Sequence, residues 1–495
     1  MKIDDFASYC KRRGIIFPSS DIYGGISGFY DYGPIGVEIK NNIKQLWWKS
    51  MVTDHDNVAG IDGSIITHPK VWDASGHVDN FVDLFVECKK CHSKIRADHL
   101  VEDVLKKPAD GLSAKQLNDL IKKNGVKCQS CKSELGEVSE FNLMFRTPVG
   151  PEGDYSSFLR PETAQVIFTN FNNVLDTCRM KIPFGIAQIG KAFRNEISPR
   201  NFLFRLREFE QMEMEFFVDP EKKADCPDFE LVADVEANVL TAKEQEKKHK
   251  TAIMKMGDVL KKKLIKSKWH AYWIGRRYKW FLDLGINPDK LRLREHVDTE
   301  LSHYSSATWD IEYNYDFGWK ELEGIADRTD FDLKQHEKHS GTKMQYFDEE
   351  TQRRFVPHVA AEPSVGVDRA FLTFIADAYH EEEIKGKKRV VLKLHPKLAA
   401  YKVAVFPLVK KDGLPEKALD IYNDLRTCFT AFYDQAGSIG RRYRRMDEIG
   451  TPLCITVDYD TKDDDSVTIR DRDSLEQKRV KISELKNYIW GKICS

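Results

Sequence analysis

The sequence predicts a mixed α/β chain of the α+β kind, built on an antiparallel sheet with helices and ending in a compact mixed α/β domain. Three observations predict it. Stretches such as "REFEQMEMEFFV" (207–218) alternate polar and apolar side chains with period two. Helical apolar spacing recurs between such stretches, as in "IGVEIKNNIKQLWWKSMV" (35–52). The last hundred or so residues alternate short strands with helices. The chain has 495 residues, of which 41% are hydrophobic and 31% charged. That is the composition of a globular protein, long enough for about three domains. The net charge of −1 gives no global basic field, so any nucleic-acid contact must rest on local patches. No apolar run approaches the ~20 residues of a membrane span. The start, "MKIDDFASYCKRRG", has neither the apolar core of a secretory signal nor the character of a transit peptide. A cytoplasmic protein is expected, which turns the ten cysteines toward thiols or metal.

In chain order, 35–52 is a helix, and "VAGIDGSIITHPKVW" (58–72) reads as a strand closed by Pro69. Residues 88–131 form a Lys-rich segment bracketed by cysteine pairs. "FGIAQIGKAFRNE" (184–196) and 207–218 make a long hairpin across the loop "ISPRNFLFRLR". Residues 221 to about 300 are charged and mostly helical, like an insertion. Strands return at 302–333, and "EPSVGVDRAFLTFIADAY" (362–379) reads as strand, turn and apolar helix. After the charged "EEEIKGKKRVV" come a strand at 401–409, a helix at 415–434, strands at 452–458 and 466–473, and a helix at 481–490.

Side-chain direction separates the hairpin's faces. Met212, Met214, Phe216 and Val218 point to a core, whereas Phe209, Gln211, Glu213 and Glu215 point the other way. Arg194 and Glu196 share a face upstream. Glu208 and Glu210 fall on the opposite face, and Glu215 lies beyond the inferred pocket; structural pairing is expected for these three. An amphipathic hairpin wetted on one side would show the same alternation. Two further stretches favour a site. "FLRPETAQVIF" contributes Arg160 and Glu162, and "EPSVGVDRAF" sets Glu362, Ser364, Gly366 and Arg369 at a strand-to-helix junction suited to anions.

Together the three stretches resemble the class II aminoacyl-tRNA synthetases, with 35–69 as motif 1, 190–218 as motif 2 and 362–379 as motif 3. More narrowly the chain resembles the homodimeric glycyl-tRNA synthetases. "YGGISGFYDYGPIGVEIKNN", "RPETAQ", "FRNEISPRNF", "REFEQMEMEFF", "ELEGIADRTDFDL", "EPSVGVDR" and "EIGTPLCITVDYDT" match in order across nearly the whole chain. Val166 stands where that family usually has glycine, and Ala361 where a larger aliphatic is common; neither change removes a polar contact. The resemblance implies a catalytic domain over 1–87, 132–220 and 301–390. It is interrupted by a cysteine-knuckle insertion at 88–131 and a helical insertion at 221–300, and followed by an anticodon-binding domain at 391–495.

It also implies the reaction: glycine and ATP give glycyl-adenylate and pyrophosphate, and glycyl then passes to the 3′ end of tRNA(Gly). Glycine's carboxylate is already ionised at neutral pH, so positioning and charge neutralisation carry the catalysis. By resemblance Arg194 binds the α-phosphate, Arg369 the distal phosphates, and Mg2+ bridges oxygens near Glu321. An arginine fork fits phosphate better than a lysine point charge. Phe209 would stack on adenine and Glu196 accept from its amino group. The motif runs carried over place ATP against Asn195, Phe204, Arg205, Leu206, Arg207, Glu208, Leu322, Gly366, Val367 and Asp368 as well. They place glycine against Arg96, Glu162, Phe209, Glu210, Gln211, Met212, Glu213, Glu362, Pro363, Ser364, Val365 and Gly366. Glu162, Glu213 and Glu362 would surround the ammonium, whose charge keeps the clustered carboxylates ionised. Glycine has no smaller competitor, so no editing step is expected.

Cys88-x-x-Cys91 and Cys128-x-x-Cys131 have the spacing of two metal knuckles and suggest structural Zn2+ held by four thiolates. Cys10, Cys178, Cys226, Cys428, Cys454 and Cys494 read as ordinary thiols. "GRRYRR" (440–445), "TIRDRDS" (468–474) and the lysines of 261–268 are candidate phosphate contacts for tRNA. Rival readings are another class II synthetase, a non-catalytic synthetase-like accessory protein that binds nucleic acid, and a stand-alone zinc-knuckle binder. The first should lack the three pocket glutamates. The second should have lost Arg194, Glu196 and Arg369, and the third needs none of the nucleotide residues.

Overall fold

The structure, a computed structural model, describes residues 3–107, 109, 111–151, 155–245, 250–302, 304–384 and 386–494. A nine-stranded sheet dominates it. Its strands in chain order are β1 (Val58–Ile61), β2 (Phe184–Phe193), β3 (Glu208–Val218), β4 (Glu236–Leu240), β5 (Ala252–Lys255), β6 (Leu291–Glu295), β7 (Ala307–Tyr315), β8 (Gly318–Asp327) and β9 (His358–Gly366). They lie in the order β5-β4-β6-β7-β8-β9-β3-β2-β1. All neighbours are antiparallel except β1 with β2 and β4 with β6. The antiparallel sheet expected from the alternating stretches is therefore present.

One face of the sheet is dry. Met212, Met214 and Phe216 of β3 are wholly buried there, against helices α1 (Pro34–Trp48), α3 (Lys268–Asp283) and α5 (Val367–Ala378). Pro34 sits at the first helical position of α1, where its missing N–H is no loss. Ile35, Ile39, Ile43 and Trp47 then line one buried stripe. Helix α3 seats Trp269 and Trp273 against Phe216, with ring centroids 4.8 and 5.1 Å away. The other face carries the polar residues, flanked by α2 (Ala164–Thr169) and α4 (Phe331–Ser340).

Several sequence expectations change. Residues 221–300, read as a helical insertion, supply β4, β5 and β6 to the main sheet and bury α3 in its core. The charged composition hid strands of only four or five residues, too short to show a period. The strand expected over 58–72 ends at Ile61, and Pro69 precedes a helix, Lys70–Ala74. The cysteine-bearing segment folds with its flanks into a three-stranded sheet of Val82–Glu87, Lys94–Arg96 and Ser139–Asn142. Two helices, Ala97–Leu105 and Ala114–Lys123, complete it around Val86, Leu100, Leu117 and Ile121.

The C-terminal part is a five-stranded mixed sheet with a core of its own. Its elements are β10 (Val403–Pro407), α6 (Leu414–Leu425), β11 (Ala431–Tyr433), α7 (Ile439–Glu448), β12 (Leu453–Val457), β13 (Ser466–Asp471), β14 (Gln477–Lys481) and α8 (Leu485–Cys494). The order is β11-β10-β12-β13-β14, parallel in the first three strands and antiparallel beyond. The helix expected over 415–434 stops at Leu425, and its last residues form the short strand β11.

Candidate active site

A cavity of ≈ 280 Å³ opens on the polar face of the sheet, over β3, β8 and β9. Strand alternation delivers Phe209, Gln211 and Glu213 to it from β3, and Glu362, Ser364 and Gly366 from β9. The cross-strand register sets Glu213 opposite Ser364 and Gln211 opposite Gly366. Arg194 and Glu196 enter from the end of β2, Glu321 from β8 and Arg369 from the first turn of α5.

The two ends of the cavity differ in charge. At one end the Arg194 guanidinium lies 5.3 Å from the Phe209 ring centroid and donates from Nε to the Pro161 carbonyl at 3.0 Å. Arg369 donates to the Phe204 carbonyl at 3.3 Å and pairs with Glu321 at 2.9 Å. The Arg369 charge leads the effects that hold the Glu321 carboxyl below its ordinary range. Arg205 pairs with Glu196 at 3.1 Å. Asp310 stands beside Glu321, and burial pushes its carboxyl up to about 6.

At the other end three glutamates converge. Thr163 donates to Glu213 from both its backbone N–H and its hydroxyl. Arg328 donates to Glu362 at 2.6 Å and grips Asp332 with two further bonds of 2.8 Å. Glu162 lies 3.2 Å from His77 and accepts from Gln165 at 3.0 Å. Burial works against the Glu162 charge, but His77 and Arg328 outweigh it and keep that carboxyl low. Burial first, then the Glu162 charge, raises Glu213, and burial lifts Glu362 to about 8. An anionic recess thus faces a pair of arginines across one aromatic ring.

The structure brings together Arg194, Glu196, Phe204, Arg205, Leu206, Phe209, Glu321, Gly366, Asp368 and Arg369 from the nucleotide set. It also brings together Glu162, Gln211, Glu213, Glu362 and Ser364 from the amino-acid set. The remaining expected side chains do not line the cavity. Met212 and Val365 point into the core, as do Leu322 and Val367, because the face alternates and a contiguous motif run cannot. Glu210 turns to the back face, where it meets Lys40 at 3.0 Å and Lys44 at 2.5 Å on α1. Glu208 pairs with Lys191. These pairings agree with the face reading and correct the motif runs. Arg207 donates to the carbonyls of Glu196 and Ser27. Asp368 borders the cavity, yet it accepts from Tyr32 and from the Glu210 N–H. Asn195 and Pro363 offer no lining side chain. Arg96 is held by Asp83 at 3.0 Å and by Asp98, outside the cavity. Arg160, read as a site residue, is a buried brace donating to the carbonyls of Lys191 and Gly63.

Sequence reasoning missed His77, His296, Tyr304, Asp310 and Arg328. Arg328 and Asp332 had a legible signal, an i,i+4 opposite-charge pair at a helix start. The others come from separate loops and strands whose meeting no spacing reveals.

The four knuckle cysteines also meet. Cys88 and Cys131 sulfurs are 3.4 Å apart, Cys91 and Cys128 3.7 Å, and all four lie within 4.8 Å of one another. A zinc tetrahedron with Zn–S bonds of about 2.3 Å has sulfur–sulfur edges of about 3.8 Å, so the donor set fits that ion. In the C-terminal part, three arginines expected to touch phosphate are buried instead. Arg442 donates to the Pro407 and Leu408 carbonyls, Arg470 pairs with Asp447, and Arg472 donates to the Gly450 and Leu394 carbonyls. Arg441 and Lys261–Lys263 remain exposed.

Comparison with known proteins agrees with this division. Residues 149–378 match the family model of the tRNA synthetase class II core domain (G, H, P, S and T), and 402–491 match that of the anticodon binding domain. A glycine–tRNA ligase of Clostridium kluyveri is 50% identical over 99% of this chain and 98% of its own length. One from Caldanaerobacter subterraneus subsp. tengcongensis is 48% identical over 99% of this chain and 98% of its own length. One from Thermobifida fusca is also 48% identical, over 98% and 97%. Among solved structures, a prolyl-tRNA synthetase from Cryptosporidium parvum, complexed with L-proline and AMP, is similar with a TM-score of 0.58. It is 15% identical over 100% of this chain and 75% of that one, a likeness of fold.

Proposed function

Because the chain belongs to the glycine–tRNA ligase family, on the class II synthetase core, we propose that Arg194, Glu196, Phe209 and Arg369 hold ATP and that Glu162, Glu213 and Glu362 hold the glycine ammonium. The protein activates glycine with ATP and transfers it to tRNA. A glycine carboxylate oxygen attacks the α-phosphorus and pyrophosphate leaves. A hydroxyl of the terminal ribose of tRNA then attacks the adenylate carbonyl, and AMP leaves. The observation that carries the site reading is the opposition of charge: three carboxylates at one end, two guanidinium groups at the other, and Phe209 between them.

In this reading the ammonium lies against the three glutamates, which fill the space a larger side chain would need. The carboxylate then projects toward Arg194. That guanidinium neutralises the α-phosphate as charge builds on it, and Arg369 does the same for the departing pyrophosphate. Phe209 offers a flat face to adenine, and Glu196 an acceptor that adenine's amino group satisfies and guanine's O6 does not. Glu321 and Asp310 are hard oxygen donors suited to Mg2+, which supplies charge neutralisation on the phosphates when bound.

The four cysteines would hold structural Zn2+, and their cytoplasmic setting would keep them reduced. A homodimer is supported by apolar side chains exposed beside motif 1: Ile22 and Tyr23 at 87%, and Ile26 at 60%. The anticodon-binding part would meet tRNA(Gly) through exposed cations such as Arg441 rather than through its buried arginines.

The test is ATP–pyrophosphate exchange with glycine, alanine, serine, proline and threonine, beside an Arg194→Ala control. Exchange with glycine alone, lost in the control, is the expected result. Exchange driven by a different amino acid would overturn the pocket assignment.

A further inference from the structure

Behind the ammonium recess lies a carboxyl to which the reading above gives no task. Glu215 follows Glu213 on the polar face of β3 and is wholly buried. The structural pairing expected for Glu215 is not found: neither of its carboxyl oxygens has a hydrogen-bond partner among the described residues. The register that pairs Glu213 with Ser364 and Phe216 with Ala361 sets Glu215 across from Glu362 on β9. One oxygen from each of Glu213, Glu215 and Glu362 lies within 4.8 Å of the other two.

Like charges directly opposite one another in a sheet repel. A buried carboxylate with no donor is less stable than its neutral form. The surroundings offer little relief. From β3 the facing group is Glu213, and from β9 Glu362. From the end of β8 and from α4 come Arg328 and Asp332, with Glu162 ahead of α2, His77 beyond it and Tyr304 alongside. Arg328 is already committed, twice to Asp332 and once to Glu362. A proton on Glu215 turns the facing pair from two anions into a donor and an acceptor. Burial first, then the charge of Glu362, raises the Glu215 carboxyl well above its ordinary range.

We propose that Glu215 remains a neutral carboxylic acid while glycine is bound and directs its proton at Glu362 from behind. It is a positioning residue that fixes the Glu362 carboxylate against the substrate ammonium. The inference rests on the reading that Glu162, Glu213 and Glu362 hold that ammonium. Its consequence is that the recess presents one negative charge fewer to the ammonium than its carboxyls suggest. An ionised Glu215 would instead leave a buried anion that only a second cation could balance.

The experiment uses the full chain with Glu215→Gln, Glu215→Leu and Glu213→Gln. The readouts are the KM values for glycine and for ATP in pyrophosphate exchange near neutral pH, and the infrared absorption spectrum of the glycine-bound protein. Gln copies a neutral acid that donates, so Glu215→Gln is expected to keep the glycine KM within about threefold. Leu cannot donate and should raise it about tenfold or more, with the ATP KM little changed. The wild-type spectrum should contain the carbonyl band of a protonated carboxylic acid, and Glu215→Gln should remove it. A rise of about tenfold or more in the glycine KM of Glu215→Gln overturns the inference. So does a wild-type spectrum without that band, or one in which the band survives the Gln substitution. These two measurements decide even where the Leu variant does not fold. A glycine KM unchanged in Glu213→Gln overturns the ammonium reading itself, whatever the infrared result.

Discussion

Phe209 and Arg194 share one corner of the cavity, the guanidinium 5.3 Å from the ring centroid. An adenine stacked on that ring would lose about 1–3 kcal/mol of binding on Phe209→Ala. The ATP KM in pyrophosphate exchange is therefore expected to rise about 5- to 150-fold. Glu362 makes a different prediction. Its carboxyl is lifted by burial from an ordinary value of 4.5 to about 8. Between those two values the native state holds a proton that the unfolded chain has released. Stability of the glycine-free protein therefore falls as pH rises through that window and levels off above it. Thermal melting should track this decline, and Glu362→Gln, which cannot ionise, should flatten it. At this scale the site was legible wherever alternation decides direction. Phe209, Gln211 and Glu213 follow from period two, and so do the outward turns of Glu208 and Glu210. Tyr304 and His77 were not legible, because each reaches the site from a segment distant in sequence, whereas Arg328 could have been found from its i,i+4 pairing with Asp332. Arg160 misled because a buried guanidinium bonded to carbonyls is written with the same letter as one poised for phosphate.

Among the elements, α3 shows how a charged segment can serve a core. Its Arg277 and the Glu323 of β8 form a fully buried ion pair at 2.6 Å. Removing one partner strands the other, so Arg277→Met should destabilise the protein by about 3–5 kcal/mol. The double variant Arg277→Met with Glu323→Leu should recover most of that loss, and denaturant midpoints would show it. The same segment explains why 221–300 was misread. Its strands are short and gathered toward one end of the sheet, and its long helix is buried nearly all round, so neither shows a clean amphipathic period. The knuckle is the opposite case. Its cysteine spacing announced the convergence, because four thiols in two tight turns have few other uses. Cys128→Ser is expected to lower bound zinc, by elemental analysis, from about one ion per chain toward zero.

For the whole molecule, a class II core followed by an anticodon-binding domain was readable from motifs, but the dependence of the chain's parts on one another was not. Arg442, Arg470 and Arg472 hold the C-terminal part together, so a survey of basic residues alone overstates its contact with tRNA. The exposed apolar loop beside motif 1 is the sharper signal, since Ile22, Tyr23 and Ile26 lie largely uncovered. If the chain forms the proposed homodimer through this loop, wild type should sediment as two chains and a Tyr23→Glu variant should shift toward one. The deeper link is the salt-bridge clasp on the back of the sheet. Helix α1 holds Glu210 through Lys40 and Lys44, and Glu210 sits between Phe209 and Gln211, which both face the cavity. A partner chain resting on that helix would be steadying the strand that carries the substrate groups. Output would then scale with the number of paired chains rather than with the number made. In the proposed dimer, a copy unable to pair would add to the protein made and little to the aminoacyl-tRNA formed.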